Sequence, residues 1–239
     1  MVQASDPARN HLVAALLDAE QQRWLPKLVA EQSPLGEVLY EPGGRITHVH
    51  FPTTSIVSLR CLLATGASVE TAVVGNEGMV GVALILGGKT SSARAVVQSA
   101  GHGFRLEART LMDEFNRGGP VMHLLLRYTQ ALITQMAQTV VCNRLHSVDQ
   151  QLCRSLLLSA DRLHSNAFVA TQELIANELG VRRESVTAAA VHLKTLGLIR
   201  YRRGQIEVLD RDGLEEHACE CYSVVRKEYD RLLPERLAA

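Results

Sequence analysis

The chain has 239 residues, 46% of them hydrophobic, and its 25 basic side chains balance 25 acidic ones. That content suffices for one large domain or two modest ones, and zero net charge excludes a protein that coats nucleic acid over its whole surface. Arg or Asp interrupts every apolar run short of membrane-spanning length, which excludes a helical membrane anchor.

Residues 1–12 lack the charged, then apolar, then small-residue layout of a secretion signal, so a cytoplasmic protein is expected. The cysteines fit a reducing compartment: Cys61, Cys142 and Cys153 stand in apolar surroundings and read as buried free thiols. Cys219 and Cys221 lie two apart on a predicted helix, which would point them away from one another. No metal ligand set is assigned.

Within 8–31, Leu12, Ala15, Leu16, Trp24, Leu25 and Leu28 have helical spacing, and Pro26 interrupts them. One or two short amphipathic helices are expected there. From Ser33 to about Leu106, glycines and prolines recur every eight to twelve residues between short segments rich in Val, Ile and Leu. The expected strands are Glu37–Tyr40, Ile46–Phe51, Ser55–Leu63, Ser68–Val74, Ala93–Gln98 and Gly103–Leu106, the rhythm of an antiparallel barrel or roll. His48 and His50 share one strand face, as in the metal-binding strand of cupin enzymes. Pro52-Thr-Thr-Ser follows where such a site needs a glutamate, so a surface pair is the better reading.

Glu107 to Arg117 reads as a short helix ended by Gly118-Gly119, and Pro120 suits the first turn of a longer one. The long helix runs to about His146, about 40 Å at 1.5 Å per residue. Leu125, Tyr128, Leu132, Gln135, Met136 and Thr139 lie on a stripe whose spacing mixes three and four, as a coiled-coil seam does. Such a stripe can be core against the chain's own roll, but the helix is longer than the roll could cover, so these six residues are expected at a parallel dimer interface. Ser147–Gln150 breaks the helix and can cap the next, Gln151–Leu163; His146–Asp149 reads as a hinge.

The most informative stretch is 171–208. Thr171 is a plausible N-cap, Leu174, Ile175 and Leu179 form an apolar stripe, and Gly180 can end the helix with φ > 0. Val186, Ala189, Ala190, Leu193 and Leu196 line a second helix. Its other face carries Arg183, Glu184, Thr187 and Ala188 near the N-terminus, where a helix in a major groove meets base edges. Two short strands then flank Arg202-Arg203-Gly204, a cationic hairpin tip. This is the pattern of a winged helix-turn-helix. From Arg144 to Gln205 nine cations face five anions, a surplus of four, whereas Ile206 to the C-terminus has five against nine. A locally basic module in a neutral chain is the footprint of phosphate contacts. Expected DNA contacts are Thr171, Gln172, Arg182, Arg183, Glu184, Ser185, Thr187, Ala188, Arg202 and Arg203. A last helix, Leu214 to Leu233, follows the cap Asp210-Arg-Asp-Gly.

A β-roll, a long helix and a winged helix-turn-helix in this order resemble the Crp/Fnr family of bacterial transcription regulators over roughly residues 34–209. The most specific match is Gly180-Val-Arg-Arg-Glu-Ser-Val186, similar to the family's recognition-helix motif. The resemblance implies that Arg183 and Glu184 contact bases and backbone; Arg suits guanine and Glu suits cytosine N4. Thr187 and Ala188 stand where some members carry a second base-reading arginine. Val74-Gly-Asn-Glu-Gly-Met-Val-Gly81 resembles the start of the family's phosphate-binding cassette. The implied effector pocket is Gly75, Asn76, Glu77, Gly78 and Met79, with Arg94 able to serve as the phosphate-holding arginine if the strand register shifts by a residue or two. The R-[ST]-A tripeptide of cyclic-nucleotide binders is missing, and an apolar insert, Val82–Lys89, intervenes. A buried cyclic phosphate would lack its counter-charge, so cyclic nucleotide is disfavoured and no cofactor is assigned.

The expected fold is α+β: an N-terminal antiparallel β-roll of the cyclic-nucleotide-binding type (1–119), a long dimerisation helix (120–146) and a C-terminal winged helix-turn-helix domain (147–239). The expected function is a homodimeric, sequence-specific transcription regulator, not an enzyme, controlled by an unidentified effector at the roll. Its partners are a palindromic double-stranded operator and, by the resemblance, RNA polymerase, with no membrane. The competing readings are a signalling module acting through protein partners and a cupin-like enzyme.

Overall fold

The computed structural model describes residues 6–202 and 204–233. Two short helices, α1 (His11–Ala14) and α2 (Asp18–Trp24), precede seven strands: β1 (Val29–Ser33), β2 (Val38–Tyr40), β3 (His48–Pro52), β4 (Ile56–Leu62), β5 (Ser68–Val74), β6 (Arg94–Ser99) and β7 (Gly101–Glu107). They form two antiparallel sheets, β1-β7-β3 and β2-β6-β4-β5, that enclose Val49, Phe51, Val57, Val74 and Val97. The expected strand rhythm is present. One strand was read otherwise: Val29–Ser33, assigned to the end of a helix, is an edge strand paired with β7. Cys61 on β4 is exposed rather than buried. His50 Nδ1 sits 2.7 Å from Glu31 Oε1, so the strand histidine is engaged by a carboxylate.

The N-terminal helices anchor to the roll through one buried side chain. Asn10 caps α1 with its carbonyl oxygen, and its amide donates to the carbonyls of Pro52 and Gly78 at 2.9 and 2.8 Å. A buried amide with every partner met fixes position more firmly than apolar contact does. Trp24 closes the same end against Phe51.

After α3 (Ala108–Asn116) comes α4 (Pro120–Leu145), started by Pro120 after two positive-φ glycines. The stripe expected at a dimer interface is core of the same chain instead. Leu125, Tyr128 and Leu132 are buried, Tyr128 Oη donates to the Met79 carbonyl at 2.8 Å, and the Gln135 amide donates to the Val73 carbonyl at 2.9 Å. Thr139 accepts from Arg154, and Met136 packs partly buried on the core. The roll and the following helices therefore cover this face. The opposite face is open, with Leu126, Ile133 and Val140 exposed to 42%, 51% and 68%.

The remainder comprises α5 (Val148–Leu163), β8 (Ala167–Val169), α6 (Gln172–Leu179), α7 (Arg183–Thr195), β9 (Ile199–Arg202), β10 (Gln205–Val208), α8 (Arg211–His217) and α9 (Glu220–Leu232). Ser147 and Gln150 make a reciprocal capping box at α5. The expected single last helix is two, broken at Ala218-Cys219. Cys219 is the N-cap residue of α9 rather than a helical one. Cys219 and Cys221 consequently both turn inward, toward Cys142, instead of pointing apart. Among the described residues no helix is long and apolar enough to cross a membrane.

Candidate nucleic-acid interface and effector region

The helix-turn-helix is built from local signals. The Thr171 hydroxyl accepts from the Leu174 amide at 3.1 Å, which caps α6. Gly180 ends α6 at φ 65°, where a side chain would be strained. Ile175, Ala176 and Leu179 then meet Val186, Ala189, Ala190 and Leu193 in one buried seam. Burying that seam forces the other face of α7 outward: Arg182, Arg183, Glu184 and Ala188 are exposed, and Ser185 is half-buried. Among the described residues, no ion pair engages Arg182, Arg183 or Glu184. The helix N-terminus thus presents two uncommitted guanidinium groups and a carboxylate.

Thr187 and Gln172 behave differently from their expected role. The Thr187 hydroxyl donates to Gln172 Oε1 at 2.9 Å and is also 3.0 Å from the Arg183 carbonyl, so it braces α7 against α6. The Gln172 backbone amide donates to Tyr201 Oη at 3.1 Å, tying α6 to the wing. The wing is a three-stranded sheet, β8-β10-β9, with Arg202 exposed at its end. Arg203 lies outside the described residues. Strand β8, short and flanked by polar residues, escaped the sequence reading.

The cassette residues are all placed, but they do not form an open nucleotide pocket. Met79 is fully buried in the core, and Gly78 lies so close to Tyr128 that a Cβ there would sit 2.5 Å from its ring. A Cβ on Gly75 would meet the Arg162 side chain at 2.7 Å, so these two glycines are required by close approach. Glu77 accepts from Arg162 Nε at 2.9 Å and from the Gly75 amide. Arg94 turns outward to a bidentate pair with Glu41, both bonds 2.8 Å, 36% exposed and away from the cassette.

What the cassette does contact is the far half of the chain. Arg162, from α5, donates to Glu77, to the Leu158 carbonyl and to Gln135 Oε1, which also accepts from Tyr229 Oη of α9 at 3.2 Å. Burial alone would lower the Arg162 pKa, but the electrostatic pull of Glu77, Tyr229 and Asp161 and the Glu77 hydrogen bond together outweigh it, and the guanidinium is held protonated. Burial likewise pushes the Tyr229 phenol up, keeping it a neutral donor. This network joins the roll, α4, α5 and α9. Arg162 and Tyr229 were not singled out from sequence, since an arginine on a helical stripe gives no sign of its burial.

Beside the network lies a cavity of about 430 Å³, between the cassette, α5, α8 and α9. Asn76 projects to it and reaches His164 Nε2 at 2.7 Å and His11 Nε2 at 3.3 Å. Arg211, Arg226, Asp161 and Asp230 also line it. Arg211 is already paired with Asp161 at 2.6 Å and with Glu215.

A second polar contact joins the two halves. Glu178 of α6 accepts from the Gln98 amide of β6 at 2.6 Å, and nearby Glu70 of β5 accepts from Ser58 at 2.6 Å. Burial pushes Glu70 up to about 7, against the pull of Ser58 and Arg60. Burial and the neighbouring Glu70 hold Glu178 well above the usual carboxylate range.

Residues 150–217 match the family of Crp-like helix-turn-helix domains. Among solved structures, a protein assigned to the Crp/Fnr family of transcriptional regulators from Eubacterium rectale is similar. It aligns at TM-score 0.66 and 18% identity, over 90% of this chain and 97% of that one. FixK2 from Bradyrhizobium japonicum aligns at 0.64 and 16%, over 80% and 98%. A CRP-family transcriptional regulator from Thermus thermophilus aligns at 0.65 and 20%, over 79% and 96%. At these identities the likeness establishes a shared fold. No curated protein sequence matches the chain.

Proposed function

We propose that this chain, which carries a Crp-like helix-turn-helix domain on the fold shared with Crp/Fnr regulators, is a homodimeric, sequence-specific DNA-binding transcription regulator. The observation that carries the reading is the N-terminus of α7. Arg182, Arg183 and Glu184 stand exposed there without ion pairs among the described residues, on a helix whose other face is buried. Stability does not need two unpaired guanidinium groups; a phosphate backbone and guanine edges do.

In this reading α7 enters the major groove. Arg183 reads a base, Glu184 and Ser185 contact a base edge or backbone, and Ala188 offers a methyl to thymine. Arg182, Arg202 and Arg203 hold phosphate, as does the N-terminus of α6 at Thr171 and Gln172. Thr187 serves as the brace described above.

The dimer seam is the open face of α4. His123, Leu126, Gln130, Ile133, Ala137, Val140 and Arg144 recur in alternating steps of three and four, the coiled-coil repeat, and all are exposed. A second copy laid parallel along this face brings the two recognition helices to one side, ready for adjacent half-sites of a palindrome. The effector role falls to the cavity beside Asn76 rather than to the filled roll interior. Regulation through RNA polymerase and a cytoplasmic setting complete the proposal, which involves binding and no catalysis. Selection from a pool of random duplexes by the full chain tests it. Enrichment of a palindromic sequence is expected, and retention of nothing above a no-protein control would refute the reading.

A further inference from the structure

Three of the five cysteines and one histidine converge at a single point. Cys142 lies in the last turns of α4, and His146 is that helix's C-cap residue, four positions on and on the same side. Cys219 is the N-cap residue of α9 and Cys221 its second residue. Cys142 Sγ lies 3.5 Å from Cys219 Sγ, Cys221 Sγ lies 3.6 Å from His146 Nδ1, and all four donor atoms are within 4.8 Å of one another. The three cysteines are buried in a cluster separate from the apolar core.

These distances are those of a metal site. Zinc–sulfur bonds of about 2.3 Å and a zinc–nitrogen bond of about 2.0 Å set tetrahedral edges of about 3.5–3.8 Å. The Cys142–Cys219 and Cys221–His146 separations already match, and the other donor pairs lie no more than 4.8 Å apart. A buried structural thiol ordinarily packs among aliphatic groups, whereas here each sulfur faces another sulfur or an imidazole nitrogen.

The histidine supplies a second, independent observation. Its Nδ1 faces the sulfurs, while its Nε2 is 3.4 Å from Glu220 Oε2. A carboxylate on the outer nitrogen fixes the tautomer that leaves the inner nitrogen's lone pair free to coordinate, the usual support for a metal-bound histidine. Three thiolates on a divalent ion leave one net negative charge. Buried Arg154, whose Nε has no hydrogen-bond partner among the described residues, acts electrostatically on both Cys142 and Cys221 and offsets it.

We propose that Cys142, His146, Cys219 and Cys221 bind one zinc ion per chain in a closed Cys3His tetrahedron. On binding, the cysteines release their thiol protons to solvent and no electron is transferred. The ligands bracket residues 147–218, so the ion ties the end of the long helix to the start of α9. It closes the whole helix-turn-helix segment into one loop at the hinge. The assignment stands on these four side chains and does not depend on the DNA-binding reading.

The test uses the full chain, purified under reducing conditions. Metal analysis is expected to give one zinc per chain, and chelation is expected to lower the melting temperature by roughly 10 °C. Cobalt(II) added to the stripped wild-type chain should give, at one equivalent, the intense visible bands of four-coordinate cobalt and a near-ultraviolet thiolate charge-transfer band. Cys219→Ser and Cys221→Ser should weaken zinc binding at least about a hundredfold, while exposed Cys61→Ser leaves it unchanged. The cobalt spectrum of the wild-type chain decides the matter even where a variant fails to fold. Weak six-coordinate bands, no stoichiometric binding, or a Cys142–Cys219 disulfide in the purified protein would overturn the proposal.

Discussion

Replacing Ile133 by Asp separates the dimer face of α4 from its buried face. Ile133 is 51% exposed in the single chain, so a partner can still cover about half of it. Full burial of an isoleucine side chain stabilises by about 1.5–3 kcal/mol, which makes the covered half worth about 1 kcal/mol in each protomer. The carboxylate adds a desolvation penalty of several kcal/mol per ion, and two-fold symmetry applies every term twice. The loss is then at least about 5 kcal/mol, a dimer constant weakened by more than about a thousandfold. Because the position is open within the chain, the monomer keeps its fold: sedimentation velocity should show a monomer with an unchanged circular dichroism spectrum. Leu132→Asp, one residue away but buried against the roll, should instead destabilise the fold itself. An Ile133→Asp protein that remains dimeric at micromolar concentration would refute this placement, as would a Leu132→Asp protein that dissociates while still folded.

Two further outcomes follow from the contacts between cassette, roll and helix α6. Arg94→Ala removes only a solvent-accessible pair with Glu41, costing about 0–1 kcal/mol, and cyclic AMP should not raise the melting temperature of either protein. A nucleotide-dependent rise abolished by Arg94→Ala would overturn the assignment of Arg94 to the outer surface. The second concerns Glu70, whose folded pKa is raised from 4.5 to about 7 by burial. The folded state retains a proton that the unfolded state has released, so this stability is fully present below about pH 4.5 and is lost as pH rises through about 7. Glu70→Gln stays neutral and should gain about 2 kcal/mol on the wild type between pH 5 and pH 8 by denaturant unfolding. An offset that does not vary with pH would contradict this.

Legibility in the sequence followed the range of the interactions. The helix-turn-helix could be read because its determinants are local: a threonine cap, a glycine at positive φ and two apolar stripes. The roll could be read because its turns punctuate strands with glycine and proline; only the polar edge strand Val29–Ser33 lacked that signal. The face of α4 could not be assigned, because the helix is apolar on two sides. Periodicity reports a stripe but not which partner covers it, and Tyr128 and Gln135 meet the roll of their own chain. Glu77 finds its partner Arg162 85 residues away, a pairing no local pattern encodes. The cysteine–histidine cluster was hidden by the break at Ala218-Cys219, which a continuous helix reading erased.

The central claim is that α7 reads bases while the wing holds phosphate, and duplex binding by Arg183→Ala and Arg202→Ala across a salt series tests it most directly. Both variants are measured on the selected palindrome and on a scrambled duplex. Arg183→Ala should cost about 1–3 kcal/mol per half-site on the palindrome, relax preference at one symmetric pair of positions, and leave scrambled binding less affected. Arg202→Ala should weaken both duplexes alike and make the salt slope shallower by about one unit per lost phosphate contact. Equal loss on both duplexes from Arg183→Ala, together with altered base preference from Arg202→Ala, would contradict the placement of α7 in the major groove.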